Sequence, residues 1–135
     1  MILSLEQVKN WIKTIAPETA GKIAVGNIDG NKEYFVGVYD GKRPPPQRIC
    51  IGGDEQTRYA QKTVRILLHW SKIPVEAEAE AQSLWASISG ANGFMMGKIP
   101  VVSIDASGAP VSVGRDEYGV CEYVINLMIT YERMT

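Results

Sequence analysis

Alternating and helical spacings of apolar residues take turns along this chain, and the clearest change from one to the other falls between residues 62 and 90. In Lys62-Thr-Val-Arg-Ile-Leu-Leu-His-Trp70, Val64, Ile66, Leu68 and Trp70 share one face, while Arg65 and His69 share the other with Leu67. That alternation predicts a strand buried more fully on one side than on the other. Ser71-Lys72-Ile73 turns the chain, and Pro74 suits the first turn of a helix, where its missing N–H costs nothing. Glu76, Glu78 and Glu80 place negative charge near the positive end of that helix. Val75, Ala77, Ala81, Leu84, Trp85 and Ile88 then recur at helical spacing, and Gly90 with Asn92-Gly93 supplies the stop. Trp70 and Trp85 are both expected in the core.

The flanking segments follow the same two patterns. Ser4 with Gln7 three positions on forms a capping signature, and Leu5, Val8, Trp11, Ile12 and Ile15 line one side of a helix that Pro17 ends. Residues 22–28 and 32–39 read as strands, and Asp29-Gly30-Asn31 between them predicts a hairpin, because aspartate and glycine accept the positive φ of tight turns. The prolines of Lys42-Arg43-Pro-Pro-Pro-Gln-Arg48 remove backbone donors, so this stretch is expected as a stiff exposed connector, with a short strand possible at 49–51. Residues 91–98 are glycine-rich and read as a loop whose Phe94-Met95-Met96 is either the end of the core or an exposed contact, the core being the favoured reading. Short strands follow at 101–104 and 111–113, joined by a turn, and 114–119 reads as a polar loop. Residues 120–131 alternate cleanly, and a strand of that length spans ~40 Å, so it is expected to bend, bulge or overhang its neighbours.

Composition bounds the function. A chain of 135 residues with 45% hydrophobic and 21% charged positions has the size and make-up of a single folded domain, 1–135. A net charge of −1 gives no general attraction to nucleic acid or anionic lipid, and no specific nucleic-acid binding is expected. Cys50 and Cys121 lack metal-ligand spacing and read as two reduced thiols. No apolar run approaches the ~20 residues of a membrane span, and the start lacks the pattern of a signal peptide, so a cytosol-like compartment is expected.

Candidate chemistry is sparse. The single histidine, His69, sits in a strand beside Arg65 and reads as a sheet-face side chain, not a general base. The pairs Asp54-Glu55 and Asp116-Glu117 lie in glycine-containing loops and read as solvated turn residues. Gly52-Gly53-Asp54 has no lysine and hydroxyl residue behind it, which excludes a P-loop. No catalytic residue, cofactor or metal site is expected.

Three stretches carry a resemblance: Gly52-Gly53-Asp54, the run Val64 to Trp70 followed by Glu76 to Ala81, and Gly114-Arg-Asp-Glu-Tyr-Gly-Val-Cys-Glu-Tyr-Val-Ile-Asn126. With the order of elements, they resemble the minor capsid proteins of tailed bacteriophages and prophages of Gram-positive bacteria, a family similar to tail terminator proteins. The resemblance covers nearly the whole chain. It implies a ring of about six subunits on the finished tail tube, presenting a surface to the head connector. It implies no catalytic positions.

The expected fold is α+β: a largely antiparallel sheet of about five or six strands, with an N-terminal helix and the 74–89 helix packed on one face. The expected function is a non-enzymatic virion structural protein, a minor capsid, tail terminator or head-to-tail joining protein that forms a homo-oligomeric ring. Its expected partners are the tail tube protein and head connector proteins, met in the host bacterial cytoplasm during assembly and then at the head-tail junction. Candidate assembly surfaces are the hairpin Asp29, Gly30, Asn31 and Lys32, the basic pair Lys42 and Arg43, and the loop Arg115, Asp116 and Glu117. The competing reading is a small-molecule or peptide binding module whose sheet forms a concave pocket.

Overall fold

The computed structural model describes residues 3–19, 21–26, 34–41, 59–106, 108–115 and 119–132. Helix α1 (Leu5–Ile15) opens the chain, followed by a 3-10 turn at Pro17–Thr19 and the strands β1 (Ile23–Val25), β2 (Phe35–Asp40) and β3 (Tyr59–His69). Helix α2 (Pro74–Ser89) precedes β4 (Asn92–Met96), β5 (Ile99–Asp105), β6 (Val111–Arg115) and β7 (Cys121–Glu132). The result is α+β, as expected, with the 74–89 helix at its predicted bounds.

The strands form one sheet in the order β1-β2-β3-β7-β5-β4, and β6 pairs with β7 beside that path. The long strands β3 and β7 are its centre, antiparallel in register from Tyr59 opposite Glu132 to His69 opposite Glu122. On its other edge β7 is shared: β6 pairs with its first half, from Arg115 opposite Cys121 to Val111 opposite Val124, and β5 pairs with its second half. Register shifts interrupt both pairings, between Val101 and Ser103 and between Ser112 and Gly114. An extra residue on one strand sharpens the local twist, so the expected bending of the last strand is met by two neighbours that each bulge.

The alternating residues place the core. Val64, Ile66 and Leu68 of β3 lie beside Leu127, Ile125 and Tyr123 of β7 and beside Val36 and Val38 of β2, all on one face. Over that face lie Val8, Trp11 and Ile12 of α1 and Ala77, Ala81, Leu84 and Ile88 of α2, and the buried residues form one cluster. Helix α1 packs on β1, β2 and β4, and α2 on β5 and β7. The N-terminal cap is the one read from the sequence: Ser4 Oγ accepts from the Gln7 amide at 3.2 Å, and Gln7 Oε1 accepts from the Ser4 amide at 3.0 Å.

Five expectations need correction. Strands β1 and β2 run parallel, Ile23 opposite Val36 and Val25 opposite Val38, so no hairpin joins them; residues 29–31 themselves lie outside the described residues. The 91–98 stretch is not a loop: β4 and β5 form an antiparallel hairpin, with Gly97 at φ +62° in the turn. Glycine at the first turn position is the requirement of a tight two-residue connection. This strand brings the sheet to seven. Gly114 and Arg115 likewise belong to β6 and not to a loop. Trp70 is buried as expected, but Trp85 is only half-buried, its indole Nε1 donating to the Ala106 carbonyl at 3.4 Å. Val75, expected on the apolar face of the helix, is exposed.

The proline-rich connector and the short strand expected at 49–51 fall outside the described residues. No helix is long and apolar enough to cross a membrane among the residues described.

Candidate assembly surface

The face of the sheet away from the helices carries the out-pointing members of each alternation. Thr63 and Arg65 from β3, Val124, Asn126 and Met128 from β7, and Asp105 at the end of β5 stand on it, each next to a core residue of its strand that points the other way. Because β5 and β6 split the edge of β7 and both bulge, this face is hollowed into an open groove of about 620 Å³. Val111 and Val113 of β6 form one wall, at 56% and 54% exposure. Large apolar side chains exposed side by side on an edge strand are the kind of surface that a partner covers.

Arg65 and Asp105 both line this groove, and neither makes an ion pair among the described residues. Toward the other end of the face, His69 and Glu122 are directly opposite each other on β3 and β7. Nδ1 of His69 lies 3.1 Å from Glu122 Oε2, with the histidine only 2% exposed. The expected sheet-face histidine is therefore buried and tied to a carboxylate. Tyr39 of β2 has its phenol pKa raised, first by burial and then by the negative charge of Glu122.

A second exposed apolar patch marks the start of α2. Ile73 and Val75 are 57% and 77% exposed, although Ala77, Ala81, Leu84 and Ile88 on the same helix are buried. Ser71 shapes this entry by accepting the Ile73 amide on its Oγ at 2.9 Å. Pro74 then sits in the first turn. The sequence pattern counted Val75 with Ala77, Ala81, Leu84, Trp85 and Ile88 at helical spacing; among the described residues no element covers it.

Of the expected contact residues, Arg115 alone is described. It ends β6, exposed, opposite Cys121. Asp29, Gly30, Asn31, Lys32, Lys42, Arg43, Asp116 and Glu117 lie outside the described residues, as does Cys50. Cys121 is a buried free thiol. Among the described residues no three His, Cys, Asp or Glu side chains are grouped to hold a metal ion. The groove residues were missed as a group, although the valines at 111, 113 and 124 were visible in the sequence as strand positions.

A family profile described as bacteriophage tail terminator protein matches residues 16–133. The chain belongs to that family. It is a structural component of a phage virion, and the matched segment of this tail terminator relative holds the whole sheet and α2, leaving only α1 before it. One solved protein chain is 14% identical, with 96% of this chain and 89% of that chain covered and a TM-score of 0.47. No curated protein matches.

Proposed function

We propose that this tail terminator-family protein ends the tail tube as a ring of about six copies and offers the ring's far side to the head connector. The observation that carries the reading is the family match over residues 16–133. Two exposed apolar patches, at Val111 and Val113 and at Ile73 and Val75, support it as surfaces for repeated subunit contacts. Stopping a tube needs a firm hold on its end, and a closed ring gains that hold by adding many weak contacts rather than by one deep site. Assembly takes place in the host cytoplasm, and Arg115 at the exposed end of β6 is a candidate contact.

The test is electron microscopy of particles made without this protein. Tails are expected to be overlong or ragged at the head-proximal end, and filled heads are expected to accumulate unjoined. Joined particles with tails of normal length would overturn the proposal. The second reading, a site for a small molecule or peptide, then moves ahead; the specific observation in its favour is the volume of the groove, which falls in the range of ligand pockets.

A further inference from the structure

The two exposed apolar patches match each other. At the start of α2, Ile73 and Val75 protrude between Lys72 and Glu78, both exposed and neither in an ion pair among the described residues. In the groove, the valine wall of β6 lies in the same hollow as Arg65 and Asp105. A protruding apolar pair flanked by a cation and an anion is thus complementary to a hollow apolar wall flanked by an anion and a cation.

The spacing agrees as well. Arg65 is opposite Asn126 and Asp105 is opposite Met128, so the two charges are two strands apart and offset by two residues along β7. With strands about 4.8 Å apart and a rise of about 3.4 Å per residue, their backbones are about 12 Å apart. Lys72 and Glu78 are six positions apart, mostly helical, which spans about 10 Å. The side chains of lysine and arginine absorb the difference.

We infer that Ile73 and Val75 of one copy enter the groove of the next, with Glu78 facing Arg65 and Lys72 facing Asp105. The inference rests on the ring reading and names the contact that builds the ring. The knob belongs to a helix on one face of the sheet and the groove to the opposite face, so a copy that inserts its knob keeps its own groove open. Such a contact is heterologous: it runs head to tail and closes into a ring where the rotation allows, whereas a two-fold pair would use one patch twice. The apolar match supplies attraction, and the charge order fixes the direction of insertion.

Disulfide trapping tests it, in a Cys50→Ser background. A chain carrying both Val75→Cys and Val113→Cys, mildly oxidised, is expected to give a ladder of covalent multimers. The two single variants mixed in equal amounts are expected to give a dimer and no ladder. Val75→Cys combined with Met95→Cys, which is exposed on the remote strand β4, is expected to give neither. Arg65→Glu should weaken the ladder, and adding Glu78→Lys should restore it. A ladder no stronger than with the Met95 pair, or single variants that link to themselves as fast as the mixture forms dimers, would overturn the contact. Wild-type protein that ends tails normally while the Val75/Val113 pair gives no ladder condemns this surface and leaves the ring standing. A deletion that leaves tails normal condemns the ring, but not a contact that the ladder shows.

Discussion

Trp11 of α1 lies flat against Phe94 of β4, with ring centroids 4.7 Å apart and planes within 13° of parallel. The stack joins the first helix to the far edge strand of the sheet, across more than eighty positions of sequence. Stacked aromatic pairs add attraction beyond the area they bury.

Phe94→Ala removes that stack and part of the cover over Trp11. The ring is only half-buried, so the expected cost is about 2 kcal/mol, below the range for a fully enclosed phenylalanine. Urea denaturation with tryptophan fluorescence as the readout checks it. An unchanged midpoint would show that the helix is held without β4.

His69 and Glu122 bind the centre of the sheet from its other face. Glu122→Ala takes away the carboxylate 3.1 Å from a histidine that is buried, and is expected to destabilise the fold by about 1–2 kcal/mol. Glu122→Gln keeps a side-chain oxygen within reach and should cost less. If the two variants melt alike, the contact adds nothing to stability.

Gly41 follows β2 and packs on β3. Its amide donates to the Thr63 carbonyl at 3.0 Å, and a Cβ built there would meet Thr63 Cβ at 3.0 Å, with the Thr63 carbonyl carbon and the Val64 nitrogen both at 3.1 Å. Backbone atoms cannot turn aside as a side-chain end can. Gly41→Ala should therefore cost about 1–3 kcal/mol through crowding. Equal or greater stability in the variant, measured by thermal denaturation, would mean that β3 yields at this point.

Tyr39 predicts an alkaline effect. Its pKa in the folded chain is raised above the unfolded value of about 10, so its contribution is whole below pH 10 and is lost as pH rises through the folded value. The informative quantity is the difference between wild type and Tyr39→Phe. The variant should lose less stability between pH 9 and 11. Parallel curves for the two proteins would remove Tyr39 as a contributor, and Glu122→Gln should shift the wild-type curve only slightly because burial is the larger cause.

The elements legible in the sequence were those whose own side chains repeat a period. The 74–89 helix, its proline start and the strands beside it could be read because alternate strand positions and every third or fourth helix position meet the same core. Strand β4 was hidden because it is short and does not alternate: Asn92-Gly93 is followed by three apolar residues in a row, Phe94 to Met96, and the cue was the glycine at 97 after them. Trp85 and Val75 were read into the core because their spacing is helical; spacing assigns residues to a side of a helix, but not the edge where neighbouring elements stop.

The sequence alone determined the two helices, the long strands and which side of β3 and β7 meets the core, since these follow from local period and caps. Tertiary structure decided that β1 runs parallel to β2, that β5 and β6 divide one edge of β7, and hence that the helix-free face is hollow. Those outcomes depend on which strand edges find each other over long separations of chain, and local period is the same for a strand in either direction and at either edge. The placing of Arg65 and Asp105 on one groove, from positions forty residues apart in sequence, is a consequence of that pairing.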